Sequence, residues 1–510
     1  MKVTLHLLTE FLLLISPEKN PKKSKLISRI STSILISTSI LISISILISI
    51  SILISISIFF ISCSDRDFSN PFDPAISPRD WIPEDLSVTV LSTSAVRLDW
   101  KRPGNYKIST IIDRKSNDNA DYDAITRVYG TSFTDSTLSP GGSYTYRVRA
   151  AIDDRTSDPS QNIKIRWLDQ GTLLWENNFP AYMRKVRFSH QEKSLVAGGM
   201  DGTLRAYDGI NGNVLWSVNI PGAIEDIDIS PDDKYIAVGT SETAGSGTYN
   251  IVAIYNLPDG TQLWQETYNR QMITVKFSPD GNSLATGSYD NQVRLHQSSN
   301  GALLWEEYNS SYVNKVDISP DQTFMVTGSW DYYLRVRNYS TGTLVWESLN
   351  DREVWDVKVF PNNTLIAAGD LTGAVKVWNA VTGSLLWTSS NTGFFNLNVH
   401  PTGTSVLSSH RQDLNCYHAE TGQIMWSYPK SGFCGFNHSG NRTALVSNDG
   451  TLIVFNSSTG DSLWTGHHDD YVGSFSYSGD DLLIATGGAD QMIRVWAAKN
   501  AWVHANEFGE

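Results

Sequence analysis

Three features of the sequence predict an all-β protein. A phrase of Gly, two or three spacer residues and Trp returns eight times, as in Thr382-Gly383-Ser384-Leu385-Leu386-Trp387. Its glycines (Gly171, Gly212, Gly260, Gly301, Gly342, Gly383, Gly422, Gly460) lie 41, 48, 41, 41, 41, 39 and 38 residues apart. Between them run short alternating apolar segments closed by turn residues, with the period of strands. A repeat near 40 residues built from such segments is the signature of β-propeller blades. One blade cannot bury both faces of its sheet, so the copies must stack, and eight of them predict an eight-bladed β-propeller over residues 170–497.

Composition agrees with a large, turn-rich, aromatic core: 510 residues contain 16 Trp, 21 Tyr and 37 Gly. The net charge of -13, with no concentrated basic stretch after residue 29, argues against a nucleic-acid partner, and none is expected, since phosphate binding needs clustered cations. Three cysteines (Cys63, Cys416, Cys434) are too few for a disulfide scaffold, and the last two read as buried thiols or a single pair.

Residues 1–62 form a signal or membrane-anchor segment. Lys19, Lys22, Lys23, Lys25 and Arg29 precede Ile30–Ile61, which is nearly all Ile, Leu and Ser. The run ends in Phe60-Ile61-Ser62-Cys63. That ending resembles the lipobox of bacterial lipoproteins, which implies lipidation of Cys63 and an extracytoplasmic, membrane-anchored protein in the periplasm or at the cell surface. An uncleaved anchor is a second reading, because the run exceeds the ~20 residues that span a bilayer; a mis-assigned start is a third. Residues 63–83, with Pro71, Pro74, Pro78 and Pro83, read as an extended tether.

Residues 84–166 change to short strands. Val96-Arg97-Leu98-Asp99-Trp100 alternates, and a Pro-Gly-Gly turn precedes Tyr144-Thr145-Tyr146-Arg147-Val148. These segments resemble a fibronectin type III domain, which implies a β-sandwich with Trp100 in its core and Tyr144 at a tyrosine corner. Residues 498–510 are left as a C-terminal tail.

Within each repeat the spacing predicts four strands, the first beginning near Arg184, Glu225, Ile273, Asn314, Trp355, Phe395, Cys434 and Gly473. Turns such as Pro279-Asp280-Gly281 close the first hairpins. The last repeat lacks a Gly-x-x-Leu-Trp strand, whereas Leu173-Leu174-Trp175 has no strands before it. Residues 172–176 are therefore expected to complete the last blade, so that both chain ends close the ring. The recurring indoles Trp175, Trp216, Trp264, Trp305, Trp346, Trp387, Trp426 and Trp464 are expected to lock blade to blade, each burying about 150–250 Å².

Gly-x-x-Leu-Trp resembles the tryptophan docking motif of pyrroloquinoline-quinone-type propellers. Ser-Pro-Asp-Gly, Thr-Gly-Ser-x-Asp and Val-Arg-Val-Trp resemble WD40 repeats. In the last blade Gly466-His467, Thr486, Asp490 and Trp496 match the hydrogen-bonded His-Thr-Asp-Trp set of that family. Quinone chemistry needs adjacent cysteines and a calcium site, and Cys416 and Cys434 do not supply them, so no cofactor is expected.

No Ser-His-Asp order, metal-spaced His/Cys set or phosphate loop stands out. His400, His410, His418, His438, His467 and His468 fall on different strands and turns, with a metal site as the lesser reading, and Glu225, Asp226 and Asp228 with Asp232 and Asp233 read as solvated turns, with a calcium site as the lesser reading. The residues entering the first strands should line one rim of the axial channel: Tyr182, Arg184, Tyr268, Arg270, Tyr312, Arg352, Trp355, Phe394, Phe395, Phe433 and Tyr471. Aromatics and Arg are what protein-binding hot spots favour, and the same side chains would also serve to fill the channel mouth or pack between blades. The expectation is a non-enzymatic interaction scaffold that binds a protein or peptide partner through that face. The alternative is an extracytoplasmic hydrolase or lyase, marked by paired carboxylates converging on the axis; none can be placed from sequence.

Overall fold

The computed structural model describes residues 77–103, 108–116, 119, 121–191, 193–242 and 250–504. Cys63, the anchor segment and most of the tether lie outside them. Among the described residues no helix is long and apolar enough to cross a membrane.

Residues from Met183 onward form a ring of eight four-stranded antiparallel sheets. Their first strands are Met183–Phe188, Ala223–Ile229, Met272–Phe277, Val313–Ile318, Val354–Val359, Phe394–Val399, Gly432–Phe436 and Val472–Tyr477. These eight pack side by side, and the last returns to the first. The apolar core lies between sheets: one cluster joins Val186 and Leu195 of the first sheet to Leu483 and Val495 of the eighth. The eighth sheet is completed by Leu173–Asn178, which pairs with Met492–Ala497 from Trp496↔Leu173 to Met492↔Asn178. The closing strand thus runs two residues beyond the expected 172–176.

The Gly and the Trp of one repeat serve different joints. Each Trp lies beneath the glycine of the following repeat: a Cβ on Gly260 would sit 2.6 Å from the Trp216 ring, and one on Gly212 would sit 2.7 Å from Trp175. These glycines also hold φ near +70°, a region that costs other L-residues roughly 1–2 kcal/mol. Geometry and contact therefore both demand Gly there. Seven of the indoles donate their N–H to a backbone carbonyl of the next sheet at 2.7–3.0 Å, as Trp216 does to Leu257.

Residues 84–168 form two packed sheets. One is Glu84–Ser92, Ala95–Lys101 and Ser132–Asp135; the other is ordered Asp123–Val128, Ser109–Ser116, Ser143–Ile152, Ile163–Leu168. Trp100 is buried between them and donates to Thr110 Oγ1 at 3.2 Å, and the Tyr144 hydroxyl accepts from the Ser139 backbone N–H at 3.2 Å. The second sheet gains a strand the sequence did not suggest. Ala501–His504 pairs with Ile163–Leu168 through Ala501↔Leu168 and His504↔Ile165, so the segment expected as a tail is built into the sheet edge. Trp502 draws it in: the indole is buried and packs on Tyr144 and Trp167 at centroid distances of 5.5 and 5.3 Å.

Candidate functional site

The segments entering the first strands and the turns between second and third strands meet at one end of the axis. Backbone bonds tie them together, Tyr289 N–H to Gln271 O and Trp330 N–H to Tyr312 O, each at 2.9 Å. Two arcs of rings edge this mouth. In the third to fifth sheets Tyr289 stacks on Tyr312 at 4.3 Å, Tyr312 lies 5.4 Å from Trp330, and Trp330 lies 6.2 Å from Trp355. Across the closing joint Phe433, Tyr471 and Tyr182 follow at 6.5 and 6.2 Å.

Arg184 stands between the arcs. It donates twice to Glu225 Oε2, at 2.7 and 3.1 Å, while Ser241 Oγ donates to Glu225 Oε1 at 2.7 Å. Its charge acts on Tyr471 on one side and Tyr289 on the other, where burial raises both phenols above their ordinary range. The phenols stay protonated, and the Arg184–Glu225 ion pair stands among them.

Six of the expected rim residues therefore come together: Tyr182, Arg184, Tyr312, Trp355, Phe433 and Tyr471. Arg352 is nearby, paired with Glu353 at 2.9 Å and close to Tyr332, whereas Arg270 is exposed on the strand entry. Phe394 and Phe395 begin the sixth first strand, but their side chains lie outside the described residues. Tyr268 does not belong to the rim. It ends the outer strand Gln262–Tyr268, where its ring takes the Arg294 guanidinium at 4.5 Å and the His296 edge at 6.4 Å. Its position one strand earlier than assumed explains the difference.

Three mouth residues were missed: Tyr289, Trp330 and Tyr332, all in second-to-third-strand turns. Tyr332 is unusual. It holds φ +73°, where the corresponding turns use Gly202, Asn291, Gly373, Gly450 or Gln491, and as the aromatic side chain among these it leaves 37% of its surface exposed. A bulky residue kept in that region with its ring in water is strain of the kind that collects at functional sites.

Below the mouth the axis is filled by charges, and sequence reading misjudged them. Asp226 and Asp228 lie on the strand Ala223–Ile229, not in solvated turns. Asp226 meets Lys185 of the first sheet at 3.4 Å and Lys315 of the fourth at 3.7 Å; Asp228 meets Lys276 at 3.5 Å. The side chains also stitch neighbours, because Asp228, Asp317 and Asp356 each accept a backbone N–H of the following sheet, from Phe277, Val359 and Leu397 at 2.8, 2.8 and 3.0 Å. Burial pushes the Asp226 carboxyl up, but Lys185, Lys315 and Arg187 outweigh it and hold it far below the carboxylate range. Asp226 raises Lys185 in turn, yet burial with Lys315 and Arg187 brings that amine down to about 8. Carboxylates thus converge on the axis, each engaged by cations or backbone amides.

The His-Thr-Asp-Trp set exists with a different histidine. His468 Nδ1 is 2.9 Å from Asp490 Oδ2, its Nε2 is 2.7 Å from Thr486 Oγ1, and Trp496 Nε1 donates to Thr486 Oγ1 at 3.1 Å. His467 is exposed at the end of Ser462–His467. Strand alternation from Trp464 carries positions 466 and 468 inward, a signal legible in the sequence. An Arg on the third strand takes the turn aspartate in this sheet as well, Arg494 with Asp490 at 2.6 Å, just as Arg294 takes Asp290 at 2.7 Å and Arg335 takes Asp331 at 2.8 Å. Cys416 and Cys434 are free and buried, and burial pushes the Cys416 thiol up to about 11. Among the described residues no group of three or more His, Cys, Asp or Glu is placed to hold a metal.

Comparison with known proteins places this architecture. Residues 248–372 and 371–491 match the family model described as outer membrane protein assembly factor BamB, a PQQ-type repeat. A 135-residue stretch is 28% identical to the periodic tryptophan protein 2 homolog of Dictyostelium discoideum, covering 26% of this chain and 14% of that protein. The chain therefore matches about a seventh of that relative's length. Two solved structures superpose over 64% of the chain and 99% of their own: the computationally designed Ika8 protein (TM-score 0.56, 20% identity) and BamB from Moraxella catarrhalis (TM-score 0.53, 15% identity). These likenesses show the β-propeller fold, with repeats of the PQQ-like type over residues 248–491.

Proposed function

We propose that this protein is a non-catalytic interaction scaffold, exported and membrane-tethered, in which a fibronectin type III-like domain carries an eight-bladed propeller that binds a protein partner through its aromatic mouth. The observation that carries the reading is the arc from Tyr289 to Trp355 with Tyr332 exposed beside it at positive φ. Large rigid rings and Arg on one concave face are the composition of binding hot spots. Likeness to an outer-membrane assembly factor supports an extracytoplasmic, membrane-associated setting, and the ending at Cys63 supports a lipid anchor. The axial carboxylates favour a structural account over a hydrolase or lyase: Asp226 is held ionised by two lysines and bonds a backbone amide, which leaves no proton to donate and no free acceptor for a general base.

Tyr332→Gly tests this cleanly. Glycine suits the turn, so stability is expected unchanged or raised by about 1 kcal/mol. Recovery of partners from detergent-solubilised membranes should drop at least about tenfold for Tyr332→Gly combined with Tyr312→Ala. Undiminished recovery by that folded variant would remove the mouth as the binding face. Trp355→Ala is a poorer probe, because Trp355 packs against the Phe360 and Val375 cluster.

A further inference from the structure

The two passages of chain between the sandwich and the ring run side by side. On the sandwich side Ile163–Leu168 pairs with Ala501–His504, and on the ring side Leu173–Asn178 pairs with Met492–Ala497. The gap between these ladders is bridged rather than open. Gln170 N–H donates to Asn500 Oδ1 at 2.7 Å, Gly171 N–H to Ala497 O at 2.8 Å, and Ala497 N–H to Thr172 O at 2.8 Å. An antiparallel ribbon thus extends from one unit into the other.

The C-terminal strand also feeds two cores. Trp502 belongs to the sandwich cluster with Trp100, Tyr144 and Tyr146, and its indole N–H reaches across to Thr93 O of the opposite sheet at 2.9 Å. Val503, the next residue, belongs with Leu168 to the cluster that joins the first and eighth sheets of the ring. Alternation along a strand sends neighbouring side chains to opposite faces, and here the two faces are two hydrophobic cores.

We propose that this ribbon makes the sandwich and the propeller a single cooperative unit, with the C-terminal strand as the shared element that fastens both. The sandwich is then a fixed mount for the propeller, not a hinged spacer. The inference does not depend on what the mouth binds.

Hydrogen exchange and calorimetry on the full chain test it. The intact protein is expected to melt in one transition, with amides of 165–168 and 493–497 exchanging through the same opening. Removing residues 500–510 should cut protection at least about a hundredfold in both ladders. Should that truncation fail to fold, Val503→Ala in the full chain gives the second reading, and lost protection at 493–497 as well as at 165–168 supports the coupling. Two separate melting transitions in the intact chain, or losses confined to 165–168 in either variant, would overturn it.

Discussion

Seven joints of the ring and the eighth solve the same problem with different chemistry. In the seven, an indole sits under the next repeat's glycine and donates to that repeat's backbone; Trp216 under Gly260 is representative. At the joint between the seventh and eighth sheets Gly171 stands over Trp464 more loosely, a Cβ there falling 3.3 Å from the ring, and the Trp464 N–H has no partner among the described residues. Here His468 crosses instead to Asp490 and Thr486. A Trp recurring at one sequence position therefore does not carry one energy. Where the chain ends meet, a side-chain network replaces the indole-to-carbonyl bond.

Glycine substitutions should separate the joints most sharply. Gly260→Ala combines a left-handed backbone with a contact well inside van der Waals distance, and a loss of roughly 3–5 kcal/mol is expected in chemical denaturation. Gly171→Ala keeps the backbone penalty at φ +81° but meets a ring that can yield, so about 1–2 kcal/mol is expected. Equal losses would show that backbone strain alone governs these sites.

A smaller contrast is expected from the indoles. Trp216→Phe leaves the Leu257 carbonyl unpaired and should cost about 1–3 kcal/mol beyond the packing change. Trp464→Phe breaks no such bond, and its loss should stay below about 1.5 kcal/mol. Thermal midpoints of the two variants measured side by side decide whether the N–H matters.

Acid should weaken the eighth joint. Burial lowers the pKa of His468 although Asp490 raises it, so the folded protein holds the imidazole neutral where the unfolded chain would protonate it. Stability is then lost as pH falls below the ordinary histidine range near 6.5. His468→Gln should flatten the fall by up to about 1.4 kcal/mol per pH unit, the weight of one proton. His296 and His410, lowered by burial to about 4, contribute the same sign elsewhere and set the residual slope. An unaltered slope would assign the acid response to them alone.

The repeat period, the first strands and the strand that closes the eighth sheet were legible because Gly, Trp and period-2 alternation report local geometry. Which Trp lies under which Gly was not, since that pairing joins consecutive repeats. The mouth was partly legible: Tyr182, Arg184, Tyr312, Trp355, Phe433 and Tyr471 stand at strand entries, whereas Tyr289, Trp330 and Tyr332 sit in turns that carry no apolar pattern. The axial charges had an unused signal, paired charged residues two apart in Lys185/Arg187, Asp226/Asp228, Lys315/Asp317 and Asp356/Lys358, which one face of a strand must share. The C-terminal strand had almost none, because four residues such as Ala501–His504 reveal a strand only through their partner.

The interlock of each indole with its successor's glycine bears on how such a chain grows. Excising or duplicating one whole repeat within the seven like joints leaves those junctions chemically matched, so that part of the rim tolerates insertion. The centre does not: Lys315 reaches past a neighbour to Asp226, and a changed number of wedges would strand one of the two. Periphery and hub therefore age under different rules, the first by copying and the second only by paired substitution.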